Sequence, residues 1–238
     1  MMSNNKLLVL IDIDGTLIKS GLTPRKALKQ AIFENTGCPV TFEDNHLAGL
    51  TDPLIITNTL NQLGIGLKDD GLPTKILNRY LEIFSLDYPA APDKKIYPGA
   101  IELLDYLKTL PVRMGLLTGN AKRGAQIKLA PFGLWRYFDF GVFGDDSADR
   151  NELPRLALKK VHELFSENYS PNKVIIIGDT VHDLICAKVN QMQSVIVLRR
   201  TEWRLSIEAQ KPELLVESFV PLEPVQNWFE KLLWLDWF

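Results

Sequence analysis

Apolar residues in this chain fall in short unbroken runs separated by stretches of helical periodicity. Residues 6–13 (KLLVLIDI), 112–118 (VRMGLLT), 173–179 (KVIIIGD) and 194–200 (SVIVLRR) are continuous rather than alternating, and 138–144 (FDFGVFG) is a weaker fifth run. Continuity of this kind predicts strands covered on both faces. Between the runs, 99–110, 121–133, 152–165 and 181–191 carry helical patterns. Strand and helix in alternation predict an α/β fold, a three-layer Rossmann-like core with a mostly parallel sheet and right-handed crossovers.

The segment 18–95 breaks this rhythm. It holds three helical patterns and no convincing strand. In the first, Thr23 is the expected N-cap, Pro24 the first helical residue and Gly37 the stop; Asp52, Pro53 and Gly64 repeat that grammar, and 72–86 is the third. An all-helical insert after the first strand predicts a small cap of residues 18–95, hinged near 18–22 and 88–97, on a core of residues 1–17 and 96–238. At the far end, Val225, Trp228, Phe229 and Leu232 recur at helical spacing, and three of the five tryptophans are Trp228, Trp234 and Trp237. A terminal helix docked on its own core is expected there, with a dimer interface as the alternative.

Composition changes this picture little. With 46% apolar and 24% charged residues and a net charge of −2, the chain reads as an ordinary globular protein with no nucleic-acid partner. Two cysteines in unlike contexts, Cys38 and Cys186, imply a reducing compartment without a disulfide framework. The polar start and the early Asp12 and Asp14 exclude a signal peptide or membrane span at 1–20. A cytoplasmic monomer or homodimer with no membrane partner is expected. His46, His162 and His182 stand isolated and are assigned packing or surface roles.

The chemistry sits at strand ends. Asp12 and Asp14, two apart, point the same way at the C-terminal tip of the first strand, and Gly15 lets the chain turn at once. The third strand ends as Gly178 and Asp179 with Asp183 close behind, so neighbouring strands would crowd four carboxylates into one pocket. Like charges at that range force protonation or recruit a hard cation, and magnesium suits oxygen ligands. At the end of the second strand, the Thr118 hydroxyl and the Gly119 and Asn120 backbone N–H groups form an anion cradle. Carboxylates, cation and cradle together call for a phosphoryl group, with Asp12 placed to attack phosphorus.

The ordered motifs DIDGTL (12–17), LLTGN (116–120) and IGDTVHD (177–183) resemble those of the haloacid dehalogenase-like hydrolase superfamily. The insert position, and GLTDPLI at 49–55, are similar to the subclass containing phosphoglycolate phosphatases. The resemblance implies Asp12 as nucleophile and metal ligand, and Asp14 as general acid and base, its carbonyl also on the metal. Thr118 and Asn120 would orient phosphate, Asp179 would hold the metal, and Asp183 would be a ligand or its supporting neighbour. Asp14 favours phosphate esters over halides, because halide needs no proton on leaving. The superfamily's usual lysine is missing from DDSADRNELPRLALKK; Arg150 is the best match, ahead of Arg155 and Lys159. Thr51 and Asp52 cap a helix on any reading and are candidates for substrate contact.

The expectation is a magnesium-dependent phosphatase of a small phosphorylated metabolite, phosphoglycolate-like or a sugar phosphate, acting through an aspartyl-phosphate. The alternatives are a phosphomutase of the β-phosphoglucomutase type, a phosphonate hydrolase with a cap lysine, and a catalytically silent binding member.

Overall fold

Each buried run of the sequence becomes a strand of one sheet in the computed structural model, which describes residues 6–42, 47–65 and 71–234. The chain runs β1 (Leu7–Ile11), β2 (Ile18–Lys19), α1 (Thr23–Thr36), α2 (Asp52–Gln62), α3 (Leu72–Asp87), β3 (Lys95–Ile96), α4 (Ala100–Thr109), β4 (Val112–Leu117), α5 (Lys122–Leu129) and β5 (Phe140–Val142). It continues with α6 (Leu153–Phe165), β6 (Val174–Gly178), α7 (Val181–Val189), β7 (Gln193–Val197), α8 (Arg204–Ala209), β8 (Leu214–Val216) and α9 (Glu223–Trp234). The six-stranded sheet has the order β5-β4-β1-β6-β7-β8 and is parallel throughout.

Period-two geometry splits β1 between two apolar layers. Leu7, Val9 and Ile11 face the layer built with α4, α5 and α9, while Leu8 and Leu10 face the one built with α6 and α7. All five are fully buried, which is why the strand reads as a continuous apolar run. The tail resolves in the same way. Val225 and Phe229 of α9 are fully buried against the first layer, with Trp228 packed edge-on to Phe229 and Leu232 partly buried beside them.

Helices α1, α2 and α3 share an apolar cluster of their own, with Ile32, Leu60, Ile76 and Phe84 at its centre. Three details differ from expectation. Leu22, not Thr23, is the N-cap of α1, whereas Gly37 closes that helix as expected. Thr51 rather than Asp52 caps α2. The insert is also not wholly helical at its ends: β2 and β3 pair antiparallel where the chain leaves and rejoins the core. Two residues are too few to leave a hydrophobic pattern, so this ribbon has no sequence signature. Strand β8 was likewise unforeseen; it is a short edge strand with two of its three residues half-buried. His46 and Trp237 lie outside the described residues. Among the described residues no helix is long and apolar enough to cross a membrane.

Candidate active site

Register places the site. Ile11 of β1 pairs with Leu116 on one side and Ile177 on the other. Asp12 comes one residue past this level, and Thr118 and Asp179 come two past it, so all three emerge at the C-terminal edge. β1 lies between β4 and β6, where the order of strands along the sheet reverses direction, and this is the crevice where open α/β sheets bind ligands. A cavity of about 670 Å³ opens there, lined by Asp12, Asp14, Thr118, Asn120, Arg150 and Asp179 from below, and by Leu28, Leu50, Asp52 and Tyr80 from the helical insert.

One acidic cluster forms on the β6 side. Oxygens of Asp12, Asp179 and Asp183 lie within 4.8 Å of one another, and all three residues are buried. Burial raises the Asp12 carboxyl to about 7 despite the opposing Arg150 charge, with Asp183 and Asp14 adding to the rise. Burial and then the charges of Asp183 and Asp12 push Asp179 well above the carboxylate range. Asp179 Oδ1 is buried with no hydrogen-bond partner. An orphaned oxygen among hard donors whose protons are hard to remove fits a divalent cation.

Asp183 is more fully engaged. Its Oδ2 accepts from Thr180 N (3.0 Å) and Thr180 Oγ1 (2.7 Å), completing a capping box at the start of α7. Its Oδ1 accepts from Arg150 Nη2 at 2.5 Å. Arg150 precedes α6, is buried, and also lies 3.4 Å from Asp12 Oδ1. Arg155 and Lys159 stand 74% and 72% exposed on α6, away from the cluster. Gly15 belongs to the same packing: a Cβ there would collide with the Asp179 carboxylate, and its φ of +80° suits glycine.

The β4 side holds a second constellation. Asn120 Nδ2 donates to Thr118 Oγ1 (2.7 Å) and to Asp14 Oδ2 (2.8 Å), while Ser20 Oγ donates to Asp14 Oδ1. Lys128 of α5, 6% exposed, donates to Asp14 Oδ2 (2.6 Å) and to Asn120 Oδ1 (2.5 Å). Burial alone would raise the Asp14 carboxyl, but the Lys128 charge and hydrogen bond, with Ser20 and Asn120, hold it below its ordinary range. Sequence reasoning passed over Lys128. The available signal was its place on one helix face with the buried Ala121, Gly124 and Ala125.

The expected anion cradle is partly taken by the protein's own groups. Asn120 N donates to Thr118 Oγ1 (3.3 Å), Ala121 N to Asp52 Oδ2 (2.8 Å) and Lys122 N to Asp145 Oδ1 (3.0 Å). Asp52 therefore caps α5 from across the seam, and burial lifts its carboxyl to about 6 against the pull of Lys128. Its own N–H donates to Gly119 O (2.8 Å). Thr51 is fully buried beside it; its hydroxyl donates to Ala148 O (2.8 Å) and accepts from Leu54 N (3.4 Å), facing the seam rather than the cavity. His182 is exposed beside Gly49, outside the carboxylate cluster.

Residues 9–197 match the model of the haloacid dehalogenase-like hydrolase family, and the chain belongs to that family. It is similar to a probable phosphatase, IndB, of Dickeya dadantii, at 27% identity over 90% of each chain. A phosphoglycolate phosphatase of Agrobacterium fabrum is 26% identical, over 95% of this chain and 94% of its own. Among solved structures, the fold matches CbbY of Rhodobacter sphaeroides in complex with phosphate (TM-score 0.70, 20% identity, 90% of this chain and 95% of that one). It also matches a hydrolase of Pseudomonas syringae (TM-score 0.71, 20% identity, 94% and 98%).

Proposed function

We propose that this hydrolase is a magnesium-dependent phosphatase of a small phosphomonoester, acting through an aspartyl-phosphate on Asp12, with the insert serving as a cap. The observation that carries the reading is the buried Asp12–Asp179–Asp183 cluster with its unpartnered Asp179 oxygen, bridged by Arg150 and sharing one cavity with Thr118. The curated relatives named as phosphatases support the reaction class.

Asp12 and Asp179 would hold the cation, with the Asp14 carbonyl, and Asp183 would support them while bound to Thr180 and Arg150. Magnesium there supplies positive charge that offsets the carboxylates and the incoming phosphate. Arg150, at 3.4 Å, opposes the effect of burial on the Asp12 carboxylate and aims it. Asp12 attacks phosphorus as the ester P–O bond breaks, and Asp14 gives the departing oxygen its proton. Water then attacks the same phosphorus while Asp14 takes back a proton, the bond from Asp12 to phosphorus breaks, and inorganic phosphate leaves with the Asp12 carboxylate restored. A phosphate dianion beside Asp14 raises its proton affinity, against the effect of Lys128. Thr118 and Asn120 orient the phosphoryl oxygens. Asp52 and Thr51 close the seam above them, Asp52 also bordering the substrate.

The test is a panel of phosphorylated metabolites, phosphoglycolate and sugar phosphates included, assayed for phosphate release with and without magnesium. Magnesium-dependent release from at least one small monoester is expected. Isomerised sugar phosphate without free phosphate would instead identify a mutase.

A further inference from the structure

The site contains two buried cations, and the reaction as derived uses one. Arg150 serves the nucleophile side. Lys128, eight residues after Asn120 on α5, serves nothing in the scheme, yet it is as buried as Arg150. A buried ammonium carries a desolvation penalty, so its presence is poor evidence of a purely stabilising role. Its partner is also not a structural acid. Asp14 has 38% of its side chain exposed and lines the cavity, whereas Asp183, the partner of Arg150, has none exposed.

The contacts divide the Asp14 carboxyl in two. Oδ2 is fixed from the core by Lys128 Nζ and Asn120 Nδ2, at 2.6 and 2.8 Å. Oδ1 is held by the Ser20 hydroxyl, one residue beyond β2, where the chain runs into the insert. Lys128 Nζ also grips Asn120 Oδ1, so the two side chains that hold Oδ2 brace each other. A carboxyl pinned through one oxygen by two core groups can exchange the partner of the other without rotating. The free exchange position is the one facing the linker and the cavity.

We infer that Lys128 is a positioning residue of the proton-transfer step: with Asn120 it locks Asp14 through Oδ2, so that Oδ1 passes from Ser20 to the leaving-group oxygen. The inference rests on the reading of Asp14 as acid and base. It concerns the chemistry of leaving and not the capture of phosphate, which the reading gives to Thr118 and Asn120.

Leaving-group dependence separates the two. In the first step an alkoxide needs a proton to depart, whereas p-nitrophenolate does not, so loss of aligned proton donation slows that step for alkyl phosphates alone; hydrolysis of the aspartyl-phosphate, which also uses Asp14, is common to both substrates. K128M and K128R are to be compared with D14N on an alkyl phosphate from the panel and on p-nitrophenyl phosphate, with melting curves for each variant. In single turnover, K128M should slow release of the alcohol about 30-fold or more, and K128R less, while the burst of p-nitrophenolate stays within about 3-fold. Should K128M fail to fold, the same ratio in K128R decides. An equal loss of the single-turnover rate on both substrates, or no loss, in the folded variant overturns the inference, since a structural or phosphate-binding role moves both together. If D14N itself shows no leaving-group discrimination, the reading of Asp14 falls and the inference with it. Discrimination in D14N but in neither Lys128 variant overturns the inference alone.

Discussion

Arg150 and Asp183 meet in the interior of the core, with Nη2 2.5 Å from Oδ1 and the Asp183 side chain wholly buried. The same guanidinium lies 3.4 Å from Asp12, so one cation stands between the first strand and the capping box of α7. Removing it strands two acids. R150M is expected to lose about 3–5 kcal/mol of stability, as breaking a buried pair from one side does, together with most of its activity. R150K keeps a charge but not the fork, and should recover only part of each. Urea unfolding checks this. A loss under about 1 kcal/mol, the scale of an exposed pair, would contradict the burial argument.

Cation binding should be visible without turnover. The native site is assembled from β1 and β6 and is absent from the unfolded chain. Magnesium at about 100 times its Kd should therefore stabilise the protein by about 2.7 kcal/mol. D179N loses the unpartnered oxygen's charge and should show little of that shift in a thermal melt. An equal shift in D179N would remove Asp179 from the proposed ligands.

Asp52 offers a pH signature at the seam. Its folded carboxyl is raised to about 6 from an ordinary 3.8, chiefly by burial. The folded state thus binds that proton more tightly than the unfolded chain does. The resulting stability is complete below the unfolded value and is lost as pH rises through the folded one. D52N cannot titrate there. Relative to D52N, the wild type should lose at most about 2 kcal/mol between about pH 4 and pH 7, partial exposure allowed for. Parallel melting curves across that range would contradict the account.

Gly119 tests the closed seam. A Cβ at this position would collide with the Leu50 carbonyl oxygen, while Gly119 O accepts from Asp52 N at 2.8 Å. G119A should keep the core fold by circular dichroism yet lose about tenfold or more in kcat/KM, because the insert's loop at Leu50 no longer seats. Unchanged kinetics would mean that this contact is not needed for turnover.

The strands and core helices were legible because burial on both sheet faces forces continuous apolar runs, as in Leu7–Ile11 and Val174–Gly178. The carboxylates were legible because Asp12 and Asp14 interrupt such a run at a strand tip. Lys128 was not, because a single lysine within an amphipathic helix looks like a solvated position until the fold turns that face inward. The β2–β3 ribbon and β8 escaped for a different reason, being too short or too exposed to impose a pattern. Arg150 could be chosen by distance to its helix, but its burial between two acids is a tertiary fact.

Covalent capture at Asp12 tests the central claim most directly. Turnover is quenched in acid with a good substrate from the panel, any acyl phosphate is reduced with borohydride, and the peptides are sequenced by mass spectrometry. The account predicts homoserine in place of aspartate at position 12, dependent on substrate and absent from D12N, which should be folded and inactive. Reduction at another aspartate, or active D12N, would contradict it.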